Sequence, residues 1–279
     1  MAAKGLRDSA PRTYAWLAWA YVALLMLPLY YLLVSSFKDN TSIFNSPFSL
    51  PSSISFESYR AAFEQAQLGR GLLNSIVVTV LAEILTLALA LPAAYALARA
   101  TGRLGNLVER LFSLGFLIPS FAALVPSVLL AIALQMFQTR SFLVMLFAAQ
   151  AMPLSVILLT NFMRAVPNEL WESASIDGAG RGTILLRIYL PLVVPGVSTV
   201  AILNYLAFWN EYLFTVSIVG LDSSIRTSQV ALPTLVNPLS TQWDLLMAGS
   251  LITMVPVFLV YIVLQQRMSK ALIEGSVKA

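Results

Sequence analysis

Six long apolar stretches restrict what this chain can fold into more than any other feature of the sequence. A helix needs about 20 apolar residues to cross roughly 30 Å of hydrocarbon. Five of the stretches carry no Asp, Glu, Lys or Arg, and the sixth carries only Glu83. They cover residues 14–37, 71–98, 111–139, 141–163, 188–210 and 245–266. The predicted fold class is therefore an all-α polytopic membrane protein with six transmembrane helices.

The composition agrees with this class and excludes several kinds of chemistry. Hydrophobic residues make up 58% of the 279 residues and charged residues only 11%, which is far from the average of soluble proteins. The sequence contains no cysteine and no histidine, so disulfides, thiolate or imidazole metal sites, and Cys or His catalysis are excluded. The net charge of +4 is small and dispersed, and we expect no nucleic-acid partner. We predict no catalytic residue and no bound metal.

The basic residues predict the orientation of the chain. Six spans place both termini on one side, and cytoplasmic termini put 12 of the 17 basic residues in cytoplasmic segments, as the positive-inside rule expects. The first run is longer than a signal-peptide core and lacks a cleavage pattern, so we interpret it as a retained span. The predicted division is a cytoplasmic segment 1–13, a first transmembrane helix 14–37, an external loop 38–70, a five-helix core 71–266 and a cytoplasmic tail 267–279. The spacing of Phe56, Tyr59 and Phe63 predicts a short amphipathic helix in the external loop.

A cytoplasmic loop, 164–187, separates the fourth span from the fifth. Pro167 suits the first turn of a helix and Gly178 its C-terminal end, so about three helical turns are predicted over 167–177. At 3.6 residues per turn, Trp171 and Ala174 share an apolar side, whereas Glu172 lies on an acidic one. The residue pattern alone leaves two interpretations open: a solvated surface helix, or a helix that docks on a cytoplasmic partner.

The glycines after this helix raise the question of a phosphate-binding loop. Residues 172–182 read E-S-A-S-I-D-G-A-G-R-G. A phosphate loop follows a strand, whereas these glycines follow a predicted helix, and neither G-x-G-x-x-G nor G-x-x-x-x-G-K-[ST] occurs here. We therefore predict that this chain does not itself bind a nucleotide.

A second pattern in the same loop resembles a known family. The order E-S-A, three residues, G, nine residues, I-x-L-P is similar to the E-A-A loop of ATP-binding-cassette (ABC) importer permeases, with Ser173 as its one departure. The longer form I-D-G-A, and the run A-F-W-N-E-Y-L-F at 207–214, resemble the carbohydrate-importer branch. The residues that carry the loop pattern are Glu172, Ser173, Ala174, Asp177, Gly178, Ala179, Ile188, Leu190 and Pro191.

The resemblance implies a type I ABC importer permease fold and a set of partners. The chain would be the non-catalytic transmembrane subunit of a sugar importer in a bacterial or archaeal inner membrane, resembling the maltose-type subunit with a short outer loop. The implied partners are a second homologous permease, two ATPase subunits that bind ATP and magnesium, an external solute-binding protein and the sugar substrate. No cofactor would be bound by this chain, and the loop helix would be a coupling helix seated on the ATPase.

Other substrates and another transporter class remain as alternatives. The same fold importing glycerol phosphate or polyamine is the first of them, although no Lys or Arg lies in any of the six stretches to bind a phosphate. A secondary transporter usually carries several ionisable groups along its spans. Only Glu83 lies deep here, so this class fits less well.

Two groups of polar residues are candidates for a substrate pathway. Glu83 lies about 18 Å into the second span, near the midplane of the bilayer. A hydrogen bond to a neighbouring span is its simpler explanation, and a place in the pathway is the other. Trp209, Asn210 and Glu211 fall near the outer interface, where an aromatic residue is usually an anchor. They are also the residue types that bind sugars, so a role at the external mouth of the pathway stays open.

Overall fold

A computed structural model describes residues 12–220, 224–236 and 241–276 of the chain. Within these ranges every regular element is a helix, and none is a strand. The predicted cytoplasmic segment 1–13 and tail 267–279 fall partly outside the described residues, at 1–11 and 277–279. The chain divides into two compact units, Met1–Ala66 with Pro233–Ile252, and Gln67–Leu232 with Thr253–Ala279.

The first unit contains the N-terminal span and the segment after it. Its helices are α1 (Arg12–Ser35), α2 (Asn40–Asn45) and α3 (Glu57–Gln65), and it includes the first turns of the last helix. Helix α3 occupies the position at which the sequence predicts a short amphipathic helix. It is anchored by Tyr59, whose hydroxyl lies 2.6 Å from the Ser36 hydroxyl and whose ring contacts Phe37. The backbone N–H of Trp243 donates to Asn40 Oδ1 over 2.7 Å.

The second unit contains the helices that form the main core. In chain order they are α4 (Leu68–Arg99), α5 (Arg103–Leu117), α6 (Leu124–Ala133), α7 (Arg140–Arg164), α8 (Asn168–Ile176), α9 (Arg181–Ile184), α10 (Leu190–Trp209), α11 (Leu213–Val219), α12 (Ser228–Ala231) and the greater part of α13 (Trp243–Ser276). Helices α4 and α7 pack against each other most extensively, and α10 packs on both.

Five helices in the described ranges are long and apolar enough to cross a membrane, or up to six if one bent pair counts as a span. They are Tyr14–Ser35, Leu68–Arg99, Arg140–Arg164, Arg181–Trp209 and Trp243–Val263. These five coincide with five of the six predicted stretches. The bent pair lies at the remaining one.

The third predicted span, 111–139, is a bent pair of helical pieces and not one continuous helix. Helix α5 ends at Leu117, and the helical chain that follows, Ser120–Ala133, is turned by 93°. Pro119 separates the two pieces, and Ile118 before it has an extended backbone (φ −72°, ψ 122°). A proline has no N–H for the helix ladder and pushes the preceding residue out of the helical region. The absence of charges therefore predicted the apolar character of this segment but not its path.

The fifth predicted span begins earlier than the sequence indicates. The helix runs from Arg181 through Trp209, with a wide π turn over Leu185–Tyr189 just before Pro191. Pro191 offers no N–H to the carbonyl of Arg187, and a π turn is one way for a helix to accommodate such a break. The loop 164–187 therefore joins this span directly, as part of one helical run that begins at Arg181.

Two apolar clusters lie along the length of α4. One contains Val78 and Ala82 of α4 with Phe147 and Phe208. The other contains Ala90, Ala94 and Tyr95 of α4, and it extends to Ala174 in the loop 164–187. Because both clusters use the same two long helices, α4 and α7, the loop is packed onto the frame of the second unit.

Candidate functional site: coupling loop and membrane pathway

The loop helix predicted over 167–177 is present as α8, Asn168–Ile176. Pro167 precedes it in an extended conformation, and Glu169 lies in its first turn, where a carboxylate is favoured by the helix dipole. Its end is closed by Gly178, whose φ is +80° and whose N–H donates to the Ser175 carbonyl over 3.1 Å. A left-handed glycine just after the last turn is a common helix terminator.

The apolar side of α8 is fixed to the end of α4. Ala174 is buried in the apolar cluster and Trp171 packs against it. The Trp171 indole N–H donates to the Tyr95 hydroxyl over 3.1 Å, and the Arg99 guanidinium lies 4.3 Å from the centre of the Trp171 ring. A cation over an indole face is attracted by the ring. Arg99 also donates a hydrogen bond to the Asn168 side chain. The Asn168 side chain thus joins α8 to α4 and does not cap α8.

The opposite side of α8 projects away from the bundle. Glu172 and Glu169 are exposed, and 86% of the Ile176 surface is accessible. Ser173, which replaces the usual alanine of the pattern, donates its hydroxyl to the Glu169 carbonyl over 2.7 Å. This internal hydrogen bond leaves the face of the helix small at that point. The side therefore presents a carboxylate, a small residue and an unpacked isoleucine.

The other residues of the loop pattern lie where the loop meets α10. Asp177 is exposed beside Gly178, whereas Ala179 and Ile188 pack against the same cluster as Ala174. Leu190 and Pro191, the remaining members of the pattern, begin α10. The structure thus places the residues of the pattern in two groups. One group lies on α8, and the other lies where the chain enters α10.

Glu83 does not make the interhelical hydrogen bond that its position favours. Its side chain is half-buried in α4, and neither carboxylate oxygen has a partner among the described residues. Its polar neighbour is the side chain of Asn204 on α10. Asn204 Nδ2 instead donates to the Ser155 hydroxyl of α7 over 3.1 Å. Three helices therefore bring a carboxyl, an amide and a hydroxyl together within the spans.

The residues Trp209, Asn210 and Glu211 are not a single cluster. Only 1% of Trp209 is exposed, and its indole N–H donates to the Thr253 carbonyl over 3.2 Å, which leaves no ring face for a ligand. Asn210 is exposed and donates to the Leu206 carbonyl over 2.9 Å. Glu211 accepts hydrogen bonds from the backbone N–H groups of Phe214 and Thr215 over 2.7 and 2.9 Å. Its carboxylate therefore stabilises the start of α11.

Glu211 also contributes to a cavity of about 380 Å³ within the second unit. The polar groups on its wall include Gln150, Asn204 and Glu211. Two of its aromatic residues, Phe147 and Phe208, stack with ring centres 5.5 Å apart. Sequence reasoning missed Gln150 and Asn204. Each is an isolated amide in an apolar run, and no spacing in the sequence indicates that the two line the same cavity.

A further polar contact secures the start of α4. Asn74 Nδ2 donates to the carbonyls of Ser224 and Arg226 over 3.2 and 2.9 Å, and the Ser75 hydroxyl accepts from the Ser228 N–H over 2.9 Å. Among the described residues no group of three Asp, Glu, His or Cys side chains is arranged to hold a metal ion.

Comparisons with known proteins agree with this architecture. Residues 86–274 match the family described as "Binding-protein-dependent transport system inner membrane component". The chain is 33% identical to the diacetylchitobiose uptake system permease protein NgcG of Streptomyces coelicolor, over 96% of this chain and 90% of that protein. It is 30% identical to the melibiose/raffinose/stachyose import permease protein MelC of Bacillus subtilis, over 99% of both chains.

A solved structure gives the same result for the fold. A chain of a bacterial ABC transporter involved in the import of the acidic polysaccharide alginate superimposes with a TM-score of 0.80, at 23% identity, over 91% of this chain and 94% of that one. The resemblance seen in the loop pattern is thereby confirmed. The chain belongs to the family of binding-protein-dependent transport system inner membrane components, the non-catalytic permease subunits of ABC transporters.

Proposed function

We propose that this chain is a permease subunit of a sugar-importing ABC transporter and that α8 is the element that docks on the ATPase. The observation that carries the proposal is the two-sided character of α8. Trp171 and Ala174 attach one side to the bundle, while Glu172 and Ile176 project from the other. The side with Glu172 and Ile176 is accessible to a partner, whereas the side with Trp171 and Ala174 already packs on this chain.

The attachments of α8 explain how movement of a partner reaches the membrane. Tyr95 and Arg99 join α8 to the last turns of α4, and Ala174 joins it to a core that includes α7 and α10. A displacement of α8 therefore acts on these spans as a packed group, because close-packed interiors transmit strain. The small residues Ser173 and Ala174 allow close approach of the partner, and Glu172 can pair with a basic group.

The remaining partners follow from the family and from the proposed orientation. Both termini lie in the cytoplasm, with the loop 164–187 on the same side. Two ATPase subunits bind ATP and magnesium, a second homologous permease completes the membrane pathway, and an external solute-binding protein delivers the substrate. The family description itself supports dependence on a binding protein.

The substrate class is a sugar or oligosaccharide. The relatives from Streptomyces coelicolor and Bacillus subtilis are named for diacetylchitobiose and for melibiose, raffinose and stachyose. The cavity that includes Gln150, Asn204 and Glu211 offers amide and carboxylate groups and no Lys or Arg, which suits hydroxyl groups better than phosphate. Glu83 lies beside Asn204, and Asn210 and Glu211 lie at the end of α10, so these residues border the proposed pathway.

The test is a reconstituted complex with its ATPases, second permease and binding protein. Oligosaccharides should stimulate ATP hydrolysis and uptake, whereas glycerol phosphate and polyamines should not. Glu172→Lys should leave the complex inserted but lower the uptake per ATP hydrolysed at least tenfold. A tenfold change corresponds to a loss of about 1.4 kcal/mol in the interaction between α8 and the ATPase. Glu64→Lys is the control, because Glu64 is an exposed carboxylate paired only with Arg60. Stimulation by glycerol phosphate or a polyamine instead of sugars would favour that alternative substrate. Normal coupling in Glu172→Lys would refute the docking role.

A further inference from the structure

A crevice of about 540 Å³ lies beside the proposed coupling helix, and the coupling role makes no use of it. Its wall is formed by the last turns of α4, by Trp171 of α8 and by the residues that begin α9. The charged groups on this wall are Arg99 and Arg181, and no Asp or Glu lines it. Two guanidinium groups thus share a cleft that contains no carboxylate to balance them.

The two arginines suit a phosphate group. Arg99 is held in place by the Trp171 ring and by Asn168. Arg181 is exposed at the rim. Guanidinium groups bind phosphate through paired N–H donors, and a preorganised one loses little freedom on binding. The crevice therefore has one guanidinium that is held in place and a second, exposed one for the same anion.

The remainder of the wall is apolar and follows a membrane-spanning helix. Pro92 and Ala96 lie on α4 on the side that carries Arg99, and Leu185 faces the same crevice. A small soluble anion gains nothing from contact with an apolar wall. A phospholipid, in contrast, can place its phosphate at the basic end and an acyl chain along the apolar part. Basic pockets between spans on the cytoplasmic side are known to bind anionic headgroups.

We propose that this crevice binds the phosphate of an anionic phospholipid from the cytoplasmic leaflet, with an acyl chain along Pro92 and Ala96. The assignment to this leaflet rests on the proposed orientation of the chain. The binding site itself does not depend on sugar transport or on coupling through Glu172. A direct binding measurement therefore separates a failure of this inference from a failure of the proposed function.

The absence of cysteine from the chain makes a single-site fluorescent reporter available. Gly182 lines the crevice, and a Cβ built there meets no atom within 4 Å, so Gly182→Cys should be accepted. The labelled full chain, purified in detergent, is titrated with dioctanoyl phosphatidylglycerol, with dioctanoyl phosphatidylcholine and with inorganic phosphate. The titration is repeated after the ATPase subunits are added.

We expect saturable binding of phosphatidylglycerol, weaker by about fivefold with Arg181→Gln and weakened less with Arg181→Lys, which keeps the charge but loses the paired donors. Arg187→Gln is the matched control, because Arg187 is exposed in the same segment but does not line the crevice. Equal binding of phosphatidylcholine, or no effect of Arg181→Gln, would overturn the proposal. Equal binding of inorganic phosphate would assign the site to a free anion and overturn the lipid. Loss of lipid binding when the ATPase is added would mean that the two arginines contact the ATPase, and this result would also overturn the lipid proposal.

Discussion

At the scale of single residues, the loop 164–187 depends on one backbone conformation. Gly178 has a φ of +80°, which L side chains rarely adopt, although a Cβ there would meet no neighbouring atom. Gly180, two residues later, has a φ of −70° and equally open surroundings. Any effect of a methyl group at Gly178 therefore comes from the backbone and not from crowding.

This difference predicts unequal effects of the same substitution. Gly178→Ala should raise the free energy of the closed helix end by about 1 to 2 kcal/mol, which loosens the exit from α8 and lowers uptake per ATP hydrolysed. Gly180→Ala should leave that ratio within about twofold of the unsubstituted protein, because its φ suits any residue. Both ratios are measured in proteoliposomes with the complete transporter. Equal losses for the two variants would show that the left-handed conformation is not what matters.

At the scale of helices, α7 and α10 approach each other at a glycine. Gly196 is buried in α10, and a Cβ built there would overlap the ring of Phe162 on α7. The overlapping atoms include the ring carbon nearest the backbone of Phe162, so a small rotation of the ring tip does not relieve it. The separation of these two spans is therefore set by the missing side chain.

A size series at this contact tests its importance. Gly196→Ala should destabilise the purified subunit by about 1 to 3 kcal/mol, the usual cost of overpacking, and Gly196→Val should cost more. The thermal unfolding midpoint in detergent is the measurement. Adding Phe162→Ala should restore part of the loss in the Gly196→Ala protein, since it removes the three ring carbons that overlap the new Cβ. No rescue by the second change would mean that the helices are separated by other contacts.

Helices also show why sequence reasoning succeeded in some places and failed in others. Helix α8 was predictable because its signals are local: Pro167 before it, Gly178 after it, and apolar residues at helical spacing between them. The bend near Pro119 was not, because proline alone does not decide the outcome. Pro92 and Pro153 lie inside long helices that continue past them, so the packing around each proline determines whether the chain turns.

The contacts around the site were less predictable than its pattern residues. Tyr95 and Arg99 bind α8 from positions far away in the sequence, and no spacing rule connects them to Trp171. The same holds for Asn204, which meets Ser155 across two helices. Trp209 was predicted from its position to lie at the outer membrane interface. In the structure it is buried, and its indole N–H donates to the Thr253 carbonyl.

At the scale of the second unit, helix α4 contacts a different connecting segment at each of its two ends. Asn74 and Ser75 near the start of α4 hold the segment around Arg226 and Ser228, and Arg99 at its other end holds α8. Helix α4 contains 32 residues, about 48 Å at 1.5 Å per residue. In the proposed orientation, its two ends therefore connect the outer surface, where substrate arrives, with the cytoplasmic surface, where the ATPase docks.

This arrangement makes a direct prediction about the sides of the membrane. The sequence contains no cysteine, so Ser53→Cys in the external loop and Gly180→Cys after α8 each provide one reactive thiol at an exposed position. A membrane-impermeant maleimide should label Ser53→Cys in intact spheroplasts and Gly180→Cys only after permeabilisation, with the chain expressed without the ATPase so that docking cannot shield the loop. The unsubstituted chain should remain unlabelled in both conditions. Labelling of Gly180→Cys from outside would reverse the orientation, and α8 could then not reach a cytoplasmic ATPase.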